Sequence, residues 1–409
     1  MRVCLSLFLA LAISINSLHY ASGQEQVETD NYCNLNFDGT QANESVKFQT
    51  SLGPRVPGSA ESSALRDSIK SNLTGWAITE STHHWGGMTL TNLFATWNKG
   101  MGSEVILAAH YDTRHKAERD SNESLRNKPI LGANDGASGV AVLLELARHI
   151  PSMDLQHEVT LFFTDAEDQG DDAAGYLLGA KAWAENLTSE EADEIESFVL
   201  VDMVGDAFLD LRKTTPGNMT LWNRTEGLVM HLDQTCNLHD SSYFDFDAID
   251  GIYDDHVPAL AKGIPAIDII DTRYGENATF LGGHWHTHND TADKVSAESL
   301  EKVGMILEAG LLKGSWLGVR QSSSLQSSDS DGDGITDRMD KCPCIPGEAD
   351  DGCPEDTTQS QESYSENENA VGVIILICVV LVIGNLIWVI YADNSCLLYT
   401  SPSPRDFQV

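Results

Sequence analysis

Along residues 24–320, short apolar runs of strand length alternate with stretches of helical period. Val105 to His110, Val159 to Phe163, Phe198 to Met203 and Ala266 to Ile270 are continuous apolar runs of the first kind. Trp76 to His83 and Met88 to Trp97 flank Gly86-Gly87 and predict a strand pair. The 3.6-residue period is clearest from Gly139 to Ile150, where Val140, Leu143, Leu144 and Ala147 share one face. Helices are also predicted over Ser63 to Leu73, Leu177 to Glu185, Leu228 to Leu238 and Val257 to Lys262. Gly263-Ile264-Pro265 turns into the last strand, and a long helix over Ala297 to Leu317 follows Ser296, with Glu298 and Glu301 in its first turn. Strands alternating with helices predict a three-layer α/β/α domain around a central, twisted, mostly parallel mixed sheet. No element is predicted for the polar stretch after residue 23, nor for the charged loop Arg114 to Lys128.

The flanks have a different composition. Residues 1–23 carry Arg2, the apolar core Val3 to Ile15 and the small residues Ala21-Ser22-Gly23, the pattern of a secretory signal. A serine-rich linker opens the segment 321–356, and 357–369 is a second polar spacer. Residues 370–392 are uncharged and apolar; at about 1.5 Å per residue a helix there spans about 34 Å, enough to cross a bilayer. Residues 393–409 form a tail resembling translated sequencing-adapter read-through, and no function is placed on it. This order predicts a single-pass protein at the extracellular face of the cell membrane, N-terminus outside. Cys33, Cys236, Cys342, Cys344 and Cys353 fit an oxidising compartment, and their odd number leaves at least one without an intrachain partner. Sequons at Asn43, Asn72, Asn122, Asn186, Asn218, Asn223 and Asn277 are compatible with glycosylation.

With 62 acidic against 25 basic side chains, the net charge is −37. A nucleic-acid backbone binder needs a basic footprint, so nucleic acid is excluded as a partner.

The chemistry lies at the ends of the apolar runs. His110-Tyr111-Asp112 closes one strand, and the run G-A-N-D-G-A-S-G places Asp135 at a helix start beside a glycine. Asp165-Ala166-Glu167-Asp168 follows another strand, and Asp202 ends the run L-V-D. The segment H-W-H-T-H offers His284, His286 and His288, among which position alone does not choose. Imidazole and carboxylate are the ligands of a catalytic zinc, and strand ends converge at the carboxyl edge of an open α/β sheet. Each motif alone has a plain structural reading. A strand-end histidine beside an aspartate is commonly structural, and the small-residue run makes a tight strand-to-helix turn. Three carboxylates in four residues are harder to explain away, because they repel unless a cation or raised pKa values compensate. Asp202 in an apolar run likewise demands a partner. Asp112 is expected to orient an imidazole.

In order and content these motifs resemble the zinc aminopeptidase and glutaminyl cyclase superfamily from Gly53 to about Leu312. The resemblance implies His110, Asp135, Asp168, Asp202 and His286 as metal ligands, with Asp135 bridging if two zincs bind, and Glu167 as general acid/base. P-I-L-G-A-N-D-G-A-S-G-V, D-A-E-D-Q-G, L-V-D-M-V-G, Asp254-Asp255-His256 and W-H-T resemble bacterial glutaminyl cyclases in particular. That implies one zinc held by Asp135, Asp168 and His286, with His110 and Asp202 nearby. Trp285 would line the pocket, and Asp202 and Asp254 would join the hydrogen bonds beside Glu167. Such cyclases often carry a tryptophan shortly after the acidic motif; here the run is A-A-G-Y-L-L-G, with Tyr176.

The segment 329–340 reads D-S-D-G-D-G-I-T-D-R-M-D, with Asp329, Asp331, Asp333, Asp337 and Asp340 spaced as calcium ligands and Gly334 at the sharp turn. With the following D-K-C-P it resembles a thrombospondin type 3 repeat, which implies a calcium-stiffened stalk. The expectation is therefore a cell-surface zinc enzyme acting on peptide or protein N-termini, with one zinc, or two, and calcium in the stalk. Cyclisation of N-terminal glutamine is the first expectation. A di-zinc aminopeptidase is the alternative, and a catalytically inactive cell-surface binding module the third.

Overall fold

Residues 31–322, apart from residue 172, are described by a computed structural model of the chain. The elements run α1 (Gly39–Leu52), α2 (Ala60–Asn72), β1 (Ala77–Trp85), β2 (Met88–Trp97), β3 (Glu104–His110), α3 (Ala137–His149), β4 (Glu158–Thr164), α4 (Leu178–Asn186), α5 (Ser189–Glu194), β5 (Ile195–Asp202), β6 (Leu211–Thr215), α6 (Met219–Gln234), β7 (Phe244–Gly251), α7 (His256–Ala261), β8 (Ala266–Ile270) and α8 (Ala297–Lys313). The six-stranded sheet has the order β1-β2-β4-β3-β5-β8. β1, β2 and β4 pair antiparallel, while β4, β3, β5 and β8 pair parallel. This is the mixed, mostly parallel sheet that the alternation predicts.

A parallel strand covered on both faces must be apolar on both, and β3 shows it. Val105, Leu107 and Ala109 enter the larger core, into which α1, α3, α6 and α8 pack. Ile106 and Ala108 enter the opposite core with Phe162, Phe198, Leu200 and the helix residues Ala192 and Ala259. Phe162 stacks on Phe94 with centroids 4.3 Å apart and meets Phe198 edge-on at 6.3 Å. Each fully buried aliphatic or aromatic side chain here contributes about 1.5–3 kcal/mol, which makes the sheet a rigid base for its loops.

Several expectations are corrected. The stretch left without an element contains α1, capped by Asp38, whose side chain accepts from Thr40 N and Gln41 N. Its buried stripe is Gly39, Ala42, Val46 and Gln49, too small and polar to register as an apolar face. α6 begins at Met219, not Leu228, because the Asn218 side chain caps it by accepting from Leu221 N. α8 stops at Lys313 rather than Leu317: Gly314 turns left-handed (φ 60°) and its N–H returns to Gly310 O and Leu311 O. β6 and β7 form a small parallel sheet for which the chain carries no strand-length apolar run. Cys33 and Cys236 form a disulfide, pairing two of the five cysteines that lie between residues 24 and 369.

Among the described residues, no helix is long and apolar enough to cross a membrane. The expected signal (1–23), the calcium ligands Asp329, Asp331, Asp333, Asp337 and Asp340, the membrane helix (370–392) and the tail lie outside the described residues.

Candidate metal centre

His110 is the last residue of β3 and Asp202 the last of β5, while Asp165 to Asp168 follow β4 directly. All three strands run parallel, so their carboxyl ends share one edge of the sheet. Asp135 enters from the turn before α3, Asp254 from just before α7, and Trp285 and His286 from the loop before α8. Asp135, Glu167, Asp168, Asp202, Asp254, Trp285 and His286 line one cavity of about 830 Å³. His110 lies behind them, fully buried. The structure thus brings every site residue expected of the α/β domain to one place.

Two triads share Asp135. In the first, His286 Nε2 stands 3.1 Å from Asp168 Oδ2 and 3.6 Å from Asp135 Oδ2. In the second, His110 Nε2 stands 3.1 Å from Asp202 Oδ1 and 3.2 Å from Asp135 Oδ1. Within each triad, three ligand atoms lie within 4.8 Å of one another. The third triad of this kind among the described residues, Cys33, His231 and Cys236, has both sulfurs committed to the disulfide.

The backbone is bent to make this possible. Ala166 (φ 59°), Met203 (φ 49°) and His286 (φ 54°) are left-handed, a conformation that costs a residue with a Cβ free energy. Each is a ligand or a neighbour of a candidate catalytic carboxylate. Gly136 is needed for a different reason: a Cβ there would collide with the His110 ring and its carbonyl oxygen. The glycine beside Asp135 therefore admits His110.

The choice among the three histidines is now geometric. His284 rests edge-on against Tyr274, with centroids 5.2 Å apart, and His288 Nδ1 meets Asp120 Oδ2 at 3.2 Å. Only His286 of the three lines up with Asp168 and Asp135.

Asp112 faces the His110 imidazole as expected but holds more than that. Its Oδ1 lies 3.5 Å from His110 Nδ1, yet that nitrogen has no hydrogen-bond partner. The Asp112 carboxylate accepts instead from Glu167 N (3.1 Å), Asp168 N (3.3 Å) and Gln169 Nε2 (2.8 Å). It pins the acidic loop while standing 3.5 Å from the imidazole.

Other holding groups were missed from sequence. Asp290, fully buried, accepts from Asn134 N (2.8 Å), Asp135 N (3.2 Å) and Tyr274 Oη (2.9 Å) and so fixes the Asp135 turn. Arg55 donates to Leu131 O and Gly132 O just upstream. Arg114 and Glu118 stand beside Asp168 and His286. The signal that could have found them is charge inside or beside the motifs: Arg114 follows H-Y-D-T and Asp290 follows W-H-T-H-N.

Burial dominates the electrostatics. It drives the Glu167 carboxyl well above the usual range, reinforced by Asp254 and Asp168. It does the same to Asp254, reinforced by Asp202 and Asp255. Asp168 is pushed up to about 6, burial outweighing the help of His286. For His286 burial opposes charge, but Asp168 and Glu118 prevail and lift it to about 9. Such a concentration of buried carboxylates needs protons or a cation to be stable.

The first triad fits a metal ion on this structure's own showing. Asp168 Oδ2 is buried without a hydrogen-bond partner although His286 Nε2 is 3.1 Å away. His286 Nδ1 is directed at Glu118 Oε1, 2.8 Å away, so it donates there, and loss of the Nε2 proton to the solvent on metal binding would leave that lone pair facing the carboxylates. One imidazole and two carboxylates make the donor set of an open zinc site.

Comparison with known proteins agrees. The model of Peptidase family M28 matches residues 92–310. The chain is 26% identical over 317 residues to the glutaminyl-peptide cyclotransferase of Bothrops jararaca, covering 67% of this chain and 82% of that one. Its fold resembles the glutaminyl cyclase of Porphyromonas gingivalis, with 30% identity, a TM-score of 0.60 and coverage of 68% and 98%. It equally resembles a Zn-dependent exopeptidase of Parabacteroides distasonis, with 26% identity, a TM-score of 0.61 and coverage of 68% and 98%.

Proposed function

This chain belongs to peptidase family M28, and from that premise we propose that it is a zinc-dependent glutaminyl-peptide cyclotransferase, converting N-terminal glutamine to pyroglutamate with release of ammonia. The observation that carries this reading is the difference between the two triads. His110 and Asp202 satisfy each other through a hydrogen bond. Asp168 Oδ2 and His286 Nε2 face each other without one. One ion at Asp135, Asp168 and His286 completes the second pair and leaves the first intact.

A zinc ion held there supplies Lewis acidity to the γ-amide carbonyl of the substrate glutamine. Glu167 is the general acid/base. It takes a proton from the α-amine as that nitrogen bonds to the γ-carbonyl carbon. It returns the proton to the amide nitrogen as the carbon–nitrogen bond breaks and ammonia leaves. No water enters the balance. The raised affinity of Glu167 for protons, caused by burial and by Asp254, suits a group that must both take and give one. Trp285 walls the cavity, which Asp202 and Asp254 also line, and the Asp254 carboxylate adds to the burial that raises Glu167.

A second reading rests on the second triad. His110, Asp135 and Asp202 would hold a second zinc, Asp135 being common to both triads, and Glu167 would then serve as the base for an attacking water, the chemistry of an aminopeptidase. The test is a side-by-side assay of the protein on glutaminyl and leucyl peptides with zinc counted per chain. Pyroglutamate formation with about one zinc is the expected outcome. Leucine release with about two establishes the peptidase, and turnover of neither leaves a binding module.

An extracellular location is part of the same proposal. The Cys33–Cys236 disulfide supports it, since such bonds persist in oxidising compartments. Labelling of the protein on intact cells with an impermeant reagent tests it; no labelling would overturn it.

A further inference from the structure

The charged loop Arg114 to Lys128 has no part in the reaction as described, yet its first residues touch both sides of the metal centre. Arg114 is 2% exposed. Its Nη1 donates to Asp168 Oδ1 (3.2 Å) and to Asp168 O (3.1 Å). Its Nε and Nη2 donate to the Glu118 carboxylate (3.1 and 2.8 Å). Glu118 Oε1 in turn accepts from His286 Nδ1 (2.8 Å). One guanidinium therefore lies between two of the three candidate ligands, touching Asp168 directly and His286 through Glu118. The same segment grips the neighbouring loop at three more points. Arg119 N donates to His286 O (3.3 Å), the Arg119 guanidinium lies 5.0 Å over the Trp285 ring, and Asp120 Oδ2 accepts from His288 N (3.0 Å).

Resting on the zinc reading above, we infer that Arg114 is a positioning residue of the metal centre: through Asp168 and Glu118 it sets the separation of Asp168 from His286 and the imidazole tautomer that can bind metal. The residue type matters. A guanidinium is a planar fork with donors on different edges, able to serve two carboxylates at once. A lysine ammonium carries the same charge on a single point and cannot hold both groups in fixed directions.

The test is zinc affinity, read by competition with a chelator of known strength on the full chain, with Arg114→Lys, Arg114→Met and Glu118→Gln. Removing partners that orient ligands typically weakens metal binding about 10–100-fold. Arg114→Lys is expected to lose affinity on that scale although the charge is kept, and Arg114→Met at least as much. Glu118→Gln cuts the same chain from the half-exposed end, so it tests the link should an Arg114 variant fail to fold. Lys116→Ala, which removes a surface pairing with Asp171, is expected to leave affinity unchanged. Zinc bound equally by Arg114→Lys, Glu118→Gln and the unaltered chain overturns the positioning role alone. Failure of the unaltered chain to bind zinc overturns the metal centre itself, and the inference with it.

Discussion

Glu167→Gln separates stability from activity, and the structure gives the sign of each. The Glu167 carboxyl lines the cavity, and burial together with Asp254 and Asp168 raises its proton affinity. An acid whose folded pKa lies above its unfolded value contributes stability below the unfolded pKa of about 4.5 and loses it as pH rises. At pH 7 the loss has a ceiling, because a group raised past 7 simply stays protonated. The ceiling is about 2.5 pH units at about 1.36 kcal/mol each, or about 3 kcal/mol. Glutamine keeps the shape and removes the charge. In the metal-free chain it is therefore expected to stabilise at pH 7, by no more than that ceiling of about 3 kcal/mol, and by nothing measurable near pH 4. The same change deletes the acid/base and should lower kcat by about 10²–10⁴ in the zinc-loaded enzyme. Denaturant unfolding of both proteins at the two pH values, in chelator, reads the first effect; steady-state turnover of a glutaminyl peptide reads the second. A Glu167→Gln protein that is less stable at pH 7, or that retains activity within tenfold, would refute the reasoning.

Three further outcomes follow from single contacts. Gly136→Ala drives a methyl group into the His110 ring and carbonyl; a loss of about 1–3 kcal/mol on thermal or denaturant unfolding is expected, and an unchanged midpoint would show that the turn relaxes freely. Reducing the Cys33–Cys236 bond opens a loop of sequence separation 203, worth at most about 5 kcal/mol by chain entropy; a lowered unfolding midpoint with unchanged zinc content is expected, since the bond lies apart from the site residues in the chain. Trp285 stacks on His286 at 3.7 Å and lines the cavity; Trp285→Ala should raise KM more than it lowers kcat with zinc stoichiometry unchanged, and an unaltered KM would remove Trp285 from the substrate pocket.

The legible parts of this chain were those written in strong local patterns. The central strands are continuous apolar runs, so their existence followed from composition over a few residues. The helices that failed to register were those whose buried faces are small or polar. α1 buries Gly39, Ala42 and Gln49 with Val46, and its place is fixed by the side-chain cap at Asp38 and by packing against α3 and α8. α8 was overextended because Leu317 continues its apolar period, whereas the left-handed Gly314 ends it. In the site, the residues at strand ends were all visible. Those that hold them, Asp290, Arg55, Arg114 and Glu118, were not, because the site groups they hold lie tens of residues away and include backbone groups as well as side chains.

By itself the sequence determined the α/β alternation, the acidic and histidine residues at the carboxyl ends of the strands, and the glycine beside Asp135. These are consequences of spacing, which a linear chain displays. The family resemblance named His286 and a shared Asp135, but only the tertiary structure put distances on them: His286 faces Asp168 and Asp135, Asp135 stands in two triads, and Asp112 holds the acidic loop as well as facing His110. Those distances depend on side chains brought together from separate strands and loops, which the spacing along the chain does not measure.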